Sequence, residues 1–490
     1  MKKRLILFSH QLNARYVEES GCDAVHIVLS KEQFEAFNYH KQRIVYHMSA
    51  AKHFCETHGF DFVYEDTFKE AFDRLEKDAV YVIYDPVEHG MRATVHKALD
   101  TAGMVFEAKS DINFFISDIK AEFEAPPYKL DSLYRRWRHR FDVLIEAGKP
   151  IGGRYSFDVK NRKGPPKTMT ASPPLSFEAD ATTRTTIRTV AREFSSHPGE
   201  AETFAYPITR KSALKALDHF IAERLPHFGR YQDAMKEDSP FMAHSLLSAP
   251  INLGLLFADE VTAKAEQAYH DGTAPIEAVE GFIRQVLGWR EYIRGVYLVE
   301  GTSYKDHNAF NHRLSRPGLL YDAKTSLHCL KTAVTNTIRH AYNHHIERLM
   351  IIGNLTNLMG IHPSEVRTWF NEMYIDAFDW VVTPNVIGMA LHADGGMMST
   401  KPYISSANYI RKMSDYCVTC GYDPKAKTGP DACPVNALYT RFLHRHENKL
   451  RRNPRMTFMY ANLDKLDEKT LKTLISRAES FIETFDKGGG

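Results

Sequence analysis

Long hydrophobic stretches are missing from this 490-residue chain: no apolar run approaches the roughly 18 residues that a membrane span needs. A secretory signal is missing too. Met1-Lys2-Lys3-Arg4 is followed by only four apolar residues, Leu5-Ile6-Leu7-Phe8, without a small-residue cleavage site, so the start reads as a first strand. Cysteine is scarce, and six in 490 residues exclude a disulfide framework, which belongs to short secreted chains. Net charge is nearly absent at +2, so nucleic-acid binding would have to rest on local basic clusters. Neither G-x-G-x-x-G nor G-x-x-x-x-G-K-[ST] follows any β-rich run, which leaves an ordinary dinucleotide or triphosphate site unsupported. Internal repeats are absent, and the one low-complexity segment is Gly488-Gly489-Gly490. A soluble, cytoplasmic protein is expected.

What is present falls into three stretches. Residues 5–11, 24–29, 60–64, 80–84 and 105–108 are short β-rich runs separated by helical patterns. The clearest helical pattern is 40–58, where Ile44, Val45, Met48, Ala51, Phe54 and Cys55 recur at helical spacing. That alternation implies an α/β domain, a doubly wound parallel sheet covered by helices, over residues 1–130. Its strand C-termini could still hold a small ligand. Residues 131–211 read as a long connector. Within it Gly153-Arg154-Tyr155-Ser156-Phe157-Asp158 and Asn161-Arg162-Lys163 look functional, whereas 172–186 looks like plain linker. Residues 212–490 are dominated by helical patterns and form an all-α domain.

Four signals could carry chemistry. Cys417-Val418-Thr419-Cys420, then Cys433-Pro434, with Cys329 far upstream, could supply four thiolates to one centre. The spacing fits structural zinc or an iron–sulfur cluster, and four unrelated buried thiols are the bland alternative. Basic clusters interleaved with aromatics occur at 134–140, 160–167 and 441–455; they suit phosphates and stacked bases, though each alone reads as a solvated helix face. His344-His345 precedes Arg348 at helical spacing; a histidine titrating near neutral pH is a common proton donor, and paired histidines are also common fillers. Asp379-Trp380 through Asn385 and Gly388 places polar groups in an apolar stretch, where turn punctuation is the competing reading.

Taken in order, these segments resemble one family along essentially the whole chain. The match is carried by Ser49-Ala50-Ala51-Lys52-His53-Phe54, Gly152-Gly153-Arg154-Tyr155-Ser156-Phe157-Asp158, Asn252-Leu253-Gly254-Leu255-Leu256 and Trp289-Arg290-Glu291-Tyr292. It continues through His344-His345, Ala393-Asp394-Gly395-Gly396, Lys401-Pro402-Tyr403 and Thr428-Gly429-Pro430-Asp431-Ala432-Cys433-Pro434. The chain resembles the photolyase/cryptochrome superfamily, in its branch of iron–sulfur bacterial cryptochromes and photolyases similar to (6-4) photolyases.

The resemblance implies a light-driven lyase repairing (6-4) photoproducts, a monomer whose partner is UV-damaged DNA and which does not engage membranes. It implies FAD held by Ser245, Leu247, Ser248, Arg290, Arg348, Asp379 and Asn385, and a [4Fe–4S] cluster on Cys329, Cys417, Cys420 and Cys433. A 6,7-dimethyl-8-ribityllumazine antenna is expected near Gln11, Glu35 and Lys41. The catalytic residues would be His345, as proton donor, and His344. Electrons would pass through Trp369 and Tyr321, and DNA would meet Arg154, Asp158, Arg162, Lys163 and Tyr403. The chain departs from the usual pattern at His10, where most relatives carry Asp, and at Leu349, where animal-type (6-4) photolyases carry a second histidine. A signalling photoreceptor with the same cofactors and a primase-like nucleic-acid-binding module are the alternatives.

Overall fold

The computed structural model describes residues 2–486; Gly488-Gly489-Gly490 lies outside them. Five parallel strands form one sheet in the order β3-β2-β1-β4-β5: β1 Lys3–Leu7, β2 Ala24–Ser30, β3 Asp61–Glu65, β4 Val80–Tyr84 and β5 Val105–Lys109. β1, β2 and β4 are nearly continuous apolar runs because helices cover both of their faces. The helix Lys41–His58 lies on one face; its N-terminal residue follows His40, whose ring accepts from the Gln42 N–H. Strand order reverses beside β1, so the loops after β1, β2 and β4 open a crevice, where doubly wound sheets bind ligands.

The stretch expected to be plain linker at 172–186 is not one. Ala181–Glu193 is a helix, capped by the Asp180 carboxylate accepting from the Thr183 N–H at 2.8 Å. Thr183, Thr186 and Val190 are buried against the helix Lys41–His58. Four threonines in six residues mask it in the sequence, because β-branched residues depress helix propensity and packing supplies what propensity withholds.

The basic run 134–140 is not a free patch either. It belongs to the helix Leu130–Arg140, in which Trp137 and Arg138 are fully buried. Arg136 and Arg140 both pair with Glu122.

The remaining chain is helical and joined tightly to the sheet domain. The His40 N–H donates to the Glu372 carbonyl at 2.7 Å, Arg43 donates to the Asn371 carbonyl at 3.0 Å, and Gln42 donates to the Arg339 carbonyl at 2.8 Å. Several helices contain wider π turns, among them Glu347–Gly353 and Asn385–Ala390. Such turns re-aim side chains and cluster at functional sites. No helix among the described residues is long and apolar enough to cross a membrane.

Burial leaves several histidines neutral. It pushes His10, His40 and His312 down to about 4 and His446 to about 3, with His47, His244 and His344 also held well below the usual value. Desolvation pushes the carboxyls of Glu88 and Glu347 the other way, up to about 7. Unfolding below pH 6.5 therefore takes up protons at the histidines and releases them from the two acids, and the histidines are more numerous. Each net proton is worth about 1.4 kcal/mol per pH unit, so stability present above pH 6.5 is lost as pH falls toward 4. The thermal midpoint should drop by about 5 °C or more between pH 7.5 and 5.5; an equal midpoint at both would show that these rings are not buried neutral.

Candidate functional sites: two cavities on opposite sides of one helix

The first cavity, of about 440 Å³, fills the crevice at the strand ends. Its walls include His10 after β1, Glu32 after β2, Arg43 and His47 from the helix Lys41–His58, and Glu88 after β4. None of the three residues expected there lines it. Gln11 is fully buried and spends its side chain on the Tyr84 carbonyl and the Phe8 N–H; Glu35 and Lys41 stand away from the walls, with Glu32 and Arg43 in their place. His10 does reach the cavity, packed near Phe8 and Phe378.

The second cavity, of about 280 Å³, lies within the helical part. Ser245 and Ser248 enter it from the loop before the helix Ser248–Asn252 and from its first residue, and His345, Arg348 and Leu349 from the segment around Glu347–Gly353. Asp376, Val381, Val382 and Asn385 complete the opposite wall. Phe228, Phe282, Phe370, Tyr342 and Tyr374 give it aromatic sides. At its heart Arg348 makes a bidentate ion pair with Asp376, at 3.0 and 3.2 Å, and lies 3.9 Å over the Tyr374 ring. Burial alone would lower the Arg348 pKa, but Asp376 and the two tyrosines outweigh it and raise it. The second Asp376 oxygen also accepts from the Ser248 hydroxyl at 2.7 Å. A charged guanidinium, hydroxyls, an Asn amide and flat aromatic walls suit a molecule that carries both a planar ring and phosphates.

Three residues expected on this second cavity are elsewhere. Asp379 faces the first cavity, accepting from Arg367 at 2.6 Å and from Tyr297 at 2.9 Å. It starts the short helix Asp379–Pro384, whose other side supplies Val381 and Val382 to the second cavity, so a single helix divides the two. Arg290 lines neither cavity; it is half-buried, donating to the Asn113 carbonyl at 2.8 Å and lying 4.0 Å over Phe114. Leu247 is buried behind the wall. Asn385 does line the second cavity, its amide donating to the Val381 carbonyl at 2.8 Å.

The two adjacent histidines part company. His345 begins its helix, is about half exposed and stands on the second cavity, 3.4 Å from Asp233. Its charged partner is Asp233 and not Arg348, which Asp376 occupies. His344 precedes the helix and is buried, stacked on His244 at 4.6 Å between ring centres and 3.9 Å from Glu347. Asp233, Asp376 and His244 escaped the sequence reading. A half-buried Arg348 calls for an acid partner, but nothing local says which acid comes from 28 residues away.

Trp369 is fully buried, its indole N–H donating to the Leu320 carbonyl at 2.9 Å. Its ring lies 5.4 Å from Phe370 and 5.7 Å from Tyr374, both of which line the second cavity. Tyr321, next to Leu320, donates to Glu372.

Outside the mouth, Arg154, Arg162, Lys163 and Tyr403 are exposed. Arg162 pairs with Asp158, and its charge is felt by Tyr403, Lys401 and Tyr409, the last also near Asp233. Arg455 joins from the C-terminal basic run beside Lys401 and Tyr403, whereas Arg451 in the same run is tied to Glu447 and Asp464.

The four cysteines are gathered from three places: Cys329 in the first turn of the helix His328–His340, Cys417 and Cys420 in a loop, and Cys433 just before the helix Pro434–Arg445. Burial first, then the charges of the other three, raises the Cys329 thiol; Cys433 is pushed up to about 12 and Cys417 to about 11. The thiols are close but not closed into a cage. As placed, no three His, Cys, Asp or Glu side chains among the described residues could hold a metal ion.

A family model described as deoxyribodipyrimidine photo-lyase-related protein matches residues 5–206. A (6-4) photolyase of Agrobacterium fabrum is 39% identical over 509 residues, covering 99% of this chain and 100% of that protein. A bacterial class III photolyase structure from Agrobacterium tumefaciens shares the fold with a TM-score of 0.58 at 15% identity, over 99% of this chain and 98% of that one. A Synechocystis cryptochrome structure does so with a TM-score of 0.60 at 12% identity, over 99% of each. On the strength of the full-length relative, the chain belongs to the photolyase/cryptochrome superfamily.

Proposed function

We propose that this protein is a light-driven DNA repair enzyme acting on the pyrimidine (6-4) photoproduct, with FAD in the second cavity. The observation that carries the reading is His345: a half-exposed histidine, beside Asp233, standing where the cavity meets a rim of exposed cations. A lesion must leave the duplex stack to reach an interior site, at a cost of a few kcal/mol that damage itself reduces. Arg154, Arg162 and Lys163 would hold the flanking phosphates, which position DNA without reading its sequence.

Reduced FAD, when bound and excited, supplies the electron that repair requires. Arg348, fixed by Asp376, and the hydroxyls of Ser245 and Ser248 would hold its anionic part, with Asn385 beside its ring. His345 gives the lesion a proton from its ring nitrogen, which keeps the transferred electron from returning unused. Asp233, 3.4 Å away, would hold that ring in place. A second histidine four residues on is not needed for this; Leu349 lends the cavity an apolar wall. Trp369, buried, would pass electrons to the cavity through Phe370 and Tyr374, with Tyr321, next to the Leu320 carbonyl that its indole bonds, as a weaker relay.

The first cavity would take the lumazine antenna against His10, Arg43, His47 and Glu88. Four thiols from three segments are the donor set of a [4Fe–4S] cluster, which would sit on Cys329, Cys417, Cys420 and Cys433. A signalling photoreceptor would have the same cavities but no need of His345.

Replacing His345 by Ala should keep lesion binding and lower repair per absorbed photon on a (6-4)-containing oligonucleotide about 100-fold, the scale of general-acid catalysis. Near wild-type yield would remove His345 from the chemistry. His344→Ala, which empties a buried stack, should instead lower thermal stability first. Trp369→Phe should abolish photoreduction of oxidised flavin in the presence of a thiol donor. The same variant should repair normally once its flavin is reduced chemically; unchanged photoreduction would place the electron path elsewhere. Cys420→Ala should yield poorly soluble protein lacking iron, because cluster binding and folding are linked. Full iron content in that variant would exclude Cys420 as a ligand.

A further inference from the structure

Val159 is 90% exposed, more than any other large apolar side chain among the described residues. A lone exposed aliphatic is ordinary. This one is set on a clamped support. It occupies the middle of the single 3-10 turn Asp158–Lys160, and the residues on either side of that turn, Phe157 and Asn161, are buried. The Phe157 N–H donates to Glu280 at 3.0 Å, and the Asn161 amide donates to the Glu277 carbonyl at 3.0 Å, so both feet rest on the helix Ile276–Ile283. The Phe157 ring in turn fills the space beside Gly152, where a Cβ would come within 2.8 Å of it. The turn is therefore fixed from below, and its tip carries a β-branched side chain that is stiff about its own first torsion.

The surroundings say what it meets. Arg154, Lys160, Arg162 and Lys163 are exposed close to it in the chain, with Lys160 beside Glu277 and Arg162 beside Asp158, and their charge suits a phosphate backbone. Asp158, next to Val159, is 3.4 Å from the Gln232 amide, and Asp233, the following residue, holds His345 at the cavity mouth. The tip thus stands at the edge of the opening that an extruded nucleotide would enter. Cations alone would serve to position phosphates. An apolar tip among them has the character of the wedges that nucleic-acid-binding proteins push between base steps.

We propose that Val159 is such a wedge: it enters the stack of double-stranded DNA at the place vacated by the lesion and keeps the duplex from closing again. The proposal rests on reading the chain as a DNA repair enzyme. It predicts an effect confined to DNA that is both damaged and double-stranded, because only there is a stack to be held open.

The test uses the full-length holoprotein in the dark, so that nothing turns over, and fluorescence anisotropy with three probes. These are a duplex containing one (6-4) photoproduct, the same duplex undamaged, and the damaged strand alone. Val159→Ser should weaken binding to the damaged duplex about tenfold and leave the other two within about twofold. Val159→Ile should keep wild-type preference, and both variants should keep the wild-type thermal midpoint, since the side chain is exposed. An equal loss on all three probes, or no loss on the damaged duplex, overturns the wedge. If the wild-type protein itself fails to prefer the damaged duplex, the repair reading is overturned, and the wedge with it.

Discussion

The Arg348–Asp376 ion pair is the contact on which the second cavity depends. Two charges removed from water are costly unless nearly every donor and acceptor is used, and here several are. Arg348 gives two bonds to Asp376 and one, from Nε, to the Asn343 carbonyl at 2.7 Å. Asp376 takes a further bond from Ser248, and its carbonyl takes one from Asn252. Three chain segments, around 245–252, 343–348 and 374–376, are tied at one point. Removing either partner would leave the other charge without its counter-ion on the cavity wall. The same pair gives the cavity one fixed cation for an anionic guest, while Asp376 limits the net charge that must be buried.

A second constraint is economy of walls. The segment running from Asp379 through Ala390 serves both cavities. Asp379 and Thr383 face the sheet, Val381, Val382 and Asn385 face the helical interior, and the Thr383 hydroxyl donates to Asp379 at 2.7 Å. Because the helix passes into a wider turn at Asn385, the angular step between side chains changes there. Cavities of about 440 and 280 Å³ are thus separated by the width of one helix. The polar residues between them, with Arg367 and Tyr297 on Asp379, keep the divider rigid.

The mouth of the second cavity shows how neighbouring residues acquire different surroundings. His344 and His345 are neighbours, yet one is buried in a stack with His244 and the other looks out beside Asp233. Burial holds His344 well below the usual histidine range. The helix begins between the two, and that boundary separates them. Helical spacing counted through both would put His344 and Arg348 on one face, but His344 lies before the helix starts.

Much of this was written in the chain. Apolar runs placed four strands within a residue of their bounds, because a sheet covered on both faces leaves its central strands mostly apolar; the first strand is Lys3–Leu7 and ends four residues before the expected Gln11. Motif order identified the superfamily, and the residues that reach the second cavity through local sequence, Ser245, Ser248, His345, Arg348 and Asn385, were legible from it. What the sequence could not decide is which way a side chain points when the decision belongs to a distant element. Asp379 turned to the first cavity because Arg367 and Tyr297 wait there; Glu32, Arg43 and Glu88 line the sheet crevice, which three loops shape at once, while the Gln11 side chain turns to the Tyr84 carbonyl. Asp233 and Asp376 became partners only after chain segments from far apart were packed together. Sequence periodicity reports what each segment buries, whereas the partner of a charge is a property of the packed whole.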